Sequence, residues 1–161
     1  MAYVWEFTNQ RKLGKKEFID YIEKKVFRTI RKYNLLPKNR IIKLKKSNDL
    51  HTKILISILS RKFKTEFSTK PNFDSMNLSS AAEATFQNIL KGKFEGPRPN
   101  DRLAHPLYYH SDAELSLYAK LTNTKGTTPK RNKKIQELFK KFLKKNQDLE
   151  INVVKALSQL S

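Results

Sequence analysis

The sequence predicts an α/β protein that is mostly helical, with a residual sheet of two or three strands, flanking helices and a C-terminal helical hairpin. Three observations carry this reading. Apolar residues recur at three- and four-residue spacing in six stretches, the pattern of helices with one buried face. Only two short runs, near residues 40–46 and 64–68, have the composition of strands. The polar stretch Thr122 to Thr128 separates the last two helical patterns from the rest, which divides the chain into 1–124, an α/β body with a basic N-terminal helix, and 125–161, a basic helical hairpin.

The first helix is expected from about Lys15 to Tyr33, because Phe18, Ile22, Val26 and Ile30 make one stripe and Asn34 and Pro37 stop it. Arg40 to Lys46 alternates partially, as a strand does, and Ser47-Asn48-Asp49 is a turn or N-cap. A second helix, about Leu50 to Lys62, turns Ile54, Leu55, Ile58 and Leu59 inward. Lys64 to Ser68 is a second short strand, and Thr69 to Met76 is loop. A third helix runs from about Ser79 to Lys91 and ends at Gly92. After the loop 96–101 and an extended His105–His110 segment, Ser111 and Glu114 form a capping box that opens a fourth helix through Leu121. Thr128-Pro129 reads as N-cap and N1 of a fifth helix to about Lys145, with Ile135, Leu138, Phe139, Phe142 and Leu143 inward. A last helix, about Asp148 to Leu160, presents Val153, Val154, Leu157 and Leu160.

The 161 residues carry a formal net charge of +19, and two stretches hold all of it. Arg11 to Lys46 has fourteen Lys/Arg against three acids, and Lys125 to Lys145 has nine against one. Lysines four apart on the fifth helix repel one another, a sacrifice that a polyanionic partner explains. The expected RNA-contacting residues are Arg11, Lys12, Lys15, Lys16, Lys24, Arg28, Arg31, Lys32, Lys43, Lys45 and Lys46 in the first stretch. In the second they are Lys130, Arg131, Lys133, Lys134, Lys140, Lys141, Lys144 and Lys145. No run reaches the ~18 apolar residues of a membrane span, and the start has no apolar secretory core, so a cytoplasmic protein without membrane partners is expected. The absence of Cys excludes disulfides, thiolate zinc sites and iron–sulfur clusters.

The remaining chemistry-bearing residues have structural readings. His51, His105 and His110 match no metal-ligand spacing and are expected at the surface or in ordinary hydrogen bonds. Asp112 and Glu114 read as helix-capping acids. Ser47-Asn48-Asp49 sits at a helix start, but Asp49 would oppose an anion there. Tyr108 and Tyr109 are expected to pack in the core in preference to stacking on bases. No cofactor and no metal is expected.

Several segments resemble, in order, the ATP-dependent PP-loop enzymes of tRNA 2-thiolation, the cytoplasmic tRNA thiolation protein family. Phe18–Leu36 is similar to the helix before their nucleotide-binding strand, and Asn77–Gly92 to their "NLDD…NLLRG" helix. His105–Leu121 is similar to their "KPL-Y…E…LYA-L" segment, and Thr128–Leu160 to their paired helices before a zinc finger. The resemblance implies a strand followed by a glycine-rich loop that cradles a nucleotide pyrophosphate. At the corresponding place this chain has Lys46-Ser47-Asn48-Asp49-Leu50-His51, without either glycine. Ser79 and Ser80 stand where the family has two acids, the catalytic cysteines are missing, and the family is roughly twice this length.

The resulting expectation is a degenerate, truncated relative: not an enzyme and binding no nucleotide. It would be a lineage-specific ribosomal protein of a thermophilic archaeon, clamping rRNA beside neighbouring ribosomal proteins, in the small subunit before the large. The alternative expectation is a tRNA-binding pseudoenzyme subunit that supports an active tRNA thiolation enzyme.

Overall fold

The computed structural model describes residues 2–143 and 148–160, with side chains to 141 and from 148 to 156. Chain order is β1 (Trp5–Glu6), β2 (Lys12–Leu13), α1 (Lys15–Lys32), β3 (Ile41–Leu44), α2 (Leu50–Leu59), β4 (Lys64–Phe67), α3 (Leu78–Leu90), α4 (Asp112–Thr122), α5 (Lys133–Leu143) and α6 (Leu149–Leu160). The protein is α/β and mostly helical, and it ends in a helical hairpin, as the periodicity predicts. The N-terminal pair β1–β2, antiparallel with Trp5 opposite Leu13, is an addition that two-residue strands give no period to detect.

Strands β3 and β4 pair in parallel, Ile41 with Lys64 through Leu44 with Phe67, and α2 is the crossover between them. Residues 72–73 return along β3 on its other side: the Asn72 side chain accepts from Lys43 N at 2.8 Å and donates to Ile41 O at 3.2 Å. Ala104 then bridges Phe73. The main core lies under this frame, where α1 contributes Phe18, Ile22 and Val26, α2 contributes Ile54, Leu55, Ile58 and Leu59, and Ile42, Leu107 and Leu115 close it. Each fully buried aliphatic side chain contributes about 1.5–3 kcal/mol.

A second core forms where the hairpin seats on α3. Ile135, Phe139 and Val154 meet Leu78, Ala81, Ala82 and Tyr108, and Phe86 meets Phe139 edge-on at 5.6 Å. Leu138, expected inward, is 36% exposed because it lies at the edge of the stripe centred on Ile135 and Phe139. The side chains of Phe142, Leu143, Leu157 and Leu160 lie outside the described residues. Helix α5 starts at Lys133, later than Thr128-Pro129 suggested, because Asn132 supplies the cap: its Oδ1 accepts from Lys134 N at 3.0 Å and Ile135 N at 3.2 Å. The Ser111–Glu114 capping box on α4 forms as expected.

All three histidines are buried, so the surface assignment fails while the hydrogen-bonding one holds for His105 and His110. His110 Nε2–H donates to Ile22 O at 3.1 Å, and Nδ1 has no partner among the described residues. Burial, then the charge of Lys25, lowers the imidazole from 6.5 to about 4. Between those values the unfolded chain takes up a proton that the folded chain refuses. Stability should therefore fall by up to about 3 kcal/mol from pH 6.5 to 4 on this account alone. Urea unfolding of His110→Gln across that window should show a flatter pH dependence; an unchanged slope would remove His110 as the cause.

Candidate nucleic-acid interface and the cleft beyond strand β3

Beyond the C-terminal end of β3 lies a cleft of about 430 Å³ lined by Leu44, Lys45, Ser47, Asp49, His51, Thr52, Asp74, Ser75, Ser80 and Pro129, among others. A phosphate would be received here by the first amides of α2, whose helix dipole also favours an anion. Two of those amides are already used. Thr52 N donates to Asp49 Oδ2 at 3.0 Å, and Leu50 N donates to Thr127 O at 2.7 Å. The hydroxyls of Thr52 and Ser75 also point to Asp49 Oδ2, both at 3.1 Å. An incoming anion meets a carboxylate.

The segment after α4 lies directly on this turn, with Thr127 N donating to Asn48 O at 3.0 Å. Gly126 permits the approach: a Cβ there would stand 2.8 Å from Asn48 O, Leu50 N and Leu50 Cα, all backbone atoms. Gly126→Ala should push the strap off the start of α2, break the Leu50–Thr127 bond and cost about 1–2 kcal/mol. A thermal melt checks this, and an unchanged midpoint would mean that the strap is not pinned.

Ser79 and Ser80 join a network that ties the segment before the hairpin to α3 and α4. Arg131 Nη1 donates to Ser80 Oγ at 2.5 Å, its Nη2 donates to Asp112 Oδ1 at 2.7 Å and to Asn77 Oδ1 at 3.0 Å, and its Nε donates to Asp112 Oδ2 at 3.0 Å. Asp112 N donates to Ser79 Oγ at 2.9 Å. Burial opposes ionisation of Asp112, yet the hydrogen bonds from Arg131 and Asn77 outweigh it and hold the carboxyl below its ordinary range. Asp112 thus serves as the hairpin's anchor and Glu114 as the cap, which is also paired with Lys25 at 3.2 Å. His51, buried beside this network, is lowered by desolvation despite Asp112 and Asp49.

Of the expected RNA-contacting residues, Lys15, Lys16, Lys24, Arg28, Arg31 and Lys32 are exposed on α1, opposite its buried stripe. Lys24 pairs with Asp20 at 2.9 Å. Arg11 and Lys12 are exposed at β2, over the rings of Phe7 and Tyr3. Lys45 and Lys46 are exposed past β3, and Lys43 within it is half-buried. Lys130, Lys133, Lys134, Lys140 and Lys141 are exposed on or before α5, while Lys144 and Lys145 lie outside the described residues. Arg131 does not join them, because its guanidinium is committed to the interior. Tyr108 packs in the second core as expected, and Tyr109 is half-buried against Tyr33. The loop 96–101, treated in sequence only as a connection, brings Arg98 to the same cleft as Lys32, Tyr33, Phe94 and Tyr109. An aromatic and an Arg beside a Gly-Pro-x-Pro segment were the available signal.

No family model matches the chain, and no curated protein matches its sequence. The fold is similar to that of a solved structure, the U34-tRNA thiolase NcsA from Methanococcus maripaludis with its [4Fe-4S] cluster. The TM-score is 0.76 at 11% identity, covering 99% of this chain and 84% of that chain. The likeness supports the PP-loop tRNA-thiolase fold that the segment order suggested. It overturns the ribosomal-protein reading and the expectation that the chain is not an enzyme, since the structure matched across nearly the whole chain is a tRNA-modifying enzyme. An iron–sulfur cluster does not fit this chain, because cysteine thiolates hold such clusters and it has none. Among the described residues no group of three His, Asp or Glu side chains gathers to replace them, and no helix is long and apolar enough to cross a membrane.

Proposed function

We propose that this protein binds tRNA and serves tRNA thiolation as a subunit beside an active thiolation enzyme. The observation that carries the proposal is the match of nearly the whole chain to a tRNA thiolase fold at a net charge of +19. The outward face of α1 and the lysines of α5 are the RNA-contacting surfaces, with residues 125–161 acting as a basic arm on the body 1–124. Phosphate contacts supply affinity, and the shape of the folded RNA supplies placement.

Filter-binding or fluorescence anisotropy with a tRNA transcript, a structured rRNA fragment and duplex DNA of equal length tests this. Tighter binding to tRNA is expected, and equal affinity for all three would sink the reading. A calorimetric titration with ATP and magnesium locates the adenylation chemistry. A micromolar Kd would assign that step to this chain itself, and the absence of binding would assign it to the partner enzyme.

A further inference from the structure

We propose that the cleft between the end of α1, the 94–99 loop and α6 holds one unpaired nucleotide of the bound RNA, stacked on Phe94. This rests on the tRNA-binding reading and adds a site to it. The cleft measures about 580 Å³, within the ~300–1,000 Å³ range of small-ligand sites.

Its floor is rigid. The rings of Tyr33 and Tyr109 stack at 6.0 Å and 24°, with their hydroxyls hydrogen-bonded to each other. Tyr108 meets Tyr109 edge-on at 5.0 Å, and its hydroxyl donates to Pro97 O at 2.7 Å, which ties the loop to the body. Pro97 and Pro99 fix the backbone on either side of Arg98, whose amide donates to Asp101 Oδ2 at 2.8 Å.

Phe94 is the anomaly. It lines the same cleft yet is 67% exposed, so the fold gains little from an aromatic ring there. Three cations, Lys32, Arg98 and Lys155, share the lining with one carboxylate, Glu95. An aromatic face beside a cationic excess suits a base on the ring and its phosphate on the cations, the way unpaired RNA is held. Neither a neutral apolar ligand nor duplex RNA would use both features, since paired bases present no face for stacking.

The test uses the full-length chain and three probes: the tRNA transcript, a single-stranded RNA nonamer and a fully paired RNA of the same length. Phe94→Ala should leave the circular dichroism spectrum and melting midpoint unchanged because the ring is exposed. It should weaken nonamer binding at least ~5-fold, the low end of one base–aromatic stack, and leave duplex binding within about 2-fold. Phe94→Trp should restore nonamer binding. Equal losses on both probes, or no loss on either, would overturn the nucleotide site while leaving tRNA binding standing. Failure of the unsubstituted protein to bind the tRNA transcript would instead overturn the tRNA reading itself, and the site with it.

Discussion

Replacing Lys140, Lys141, Lys144 and Lys145 by Gln is expected to lower tRNA affinity roughly a hundredfold near 0.1 M salt, with the log–log salt slope flattening by about three to four units. Each lysine–phosphate contact releases about 0.9 of a condensed counterion on a duplex, so four contacts sum to a slope of about −3.6. Lys140 and Lys141 are exposed, and Ile135 and Phe139 on the same helix are buried, so the charges can go without opening the second core. Lys140 and Lys141 already lie among several like charges on α5, and a helix relieved of part of that repulsion should melt no lower than before. The loss should fall on RNAs of any sequence, since phosphate carries no base information. A folded quadruple variant with unchanged affinity and slope would move the contact surface to the exposed residues of α1.

The helices were legible because each buries a single stripe, and a 3.6-residue period survives in the sequence whatever the partner surface is. Phe18, Ile22, Val26 and Ile30 are buried to 4% exposure or less. The start of α5 was not legible. Thr128-Pro129 has the chemistry of a helix opening, but Thr127 is held to Asn48 and Leu50, so the chain turns into a helix only where Asn132 can cap it. The basic character of the surface was legible from charge counts, whereas the partner of an individual cation was not. Arg131 and Lys130 are neighbours in one basic run, yet one is spent on Asp112 and the other is exposed. Such pairing depends on residues 19 and more apart, which local pattern does not encode. Ser79 and Ser80 read in sequence as a loss of acids; in the fold Ser79 accepts from Asp112 N at the start of α4, and Ser80 accepts from Arg131 just ahead of the hairpin.

Arg131→Met is expected to cost about 2–3 kcal/mol and to lower the melting midpoint by about 5–10 °C. Breaking a buried ion pair costs about 3–5 kcal/mol, and the figure is reduced here because the Asp112 side chain remains 38% exposed and is partly rehydrated. The guanidinium joins the segment before α5 to the N-terminus of α3 through Asn77 and Ser80 and to that of α4 through Asp112. Its loss should therefore loosen the hairpin before the body. Limited proteolysis should cut first within residues 125–161 while 1–124 survives. In the intact protein the depressed carboxyl of Asp112 contributes stability above the ordinary carboxylate range, and that contribution is lost as pH falls through its lowered value. The variant should lose this acid-dependent part, and in a double-mutant cycle with Asp112→Asn the combined loss should be smaller than the sum of the two single losses. Because Arg131 faces inward, the salt slope of RNA binding by the folded variant at low temperature should not change. An unaltered melting midpoint together with a flatter slope would show the opposite, that Arg131 holds phosphate and the hairpin is secured by its apolar stripe alone.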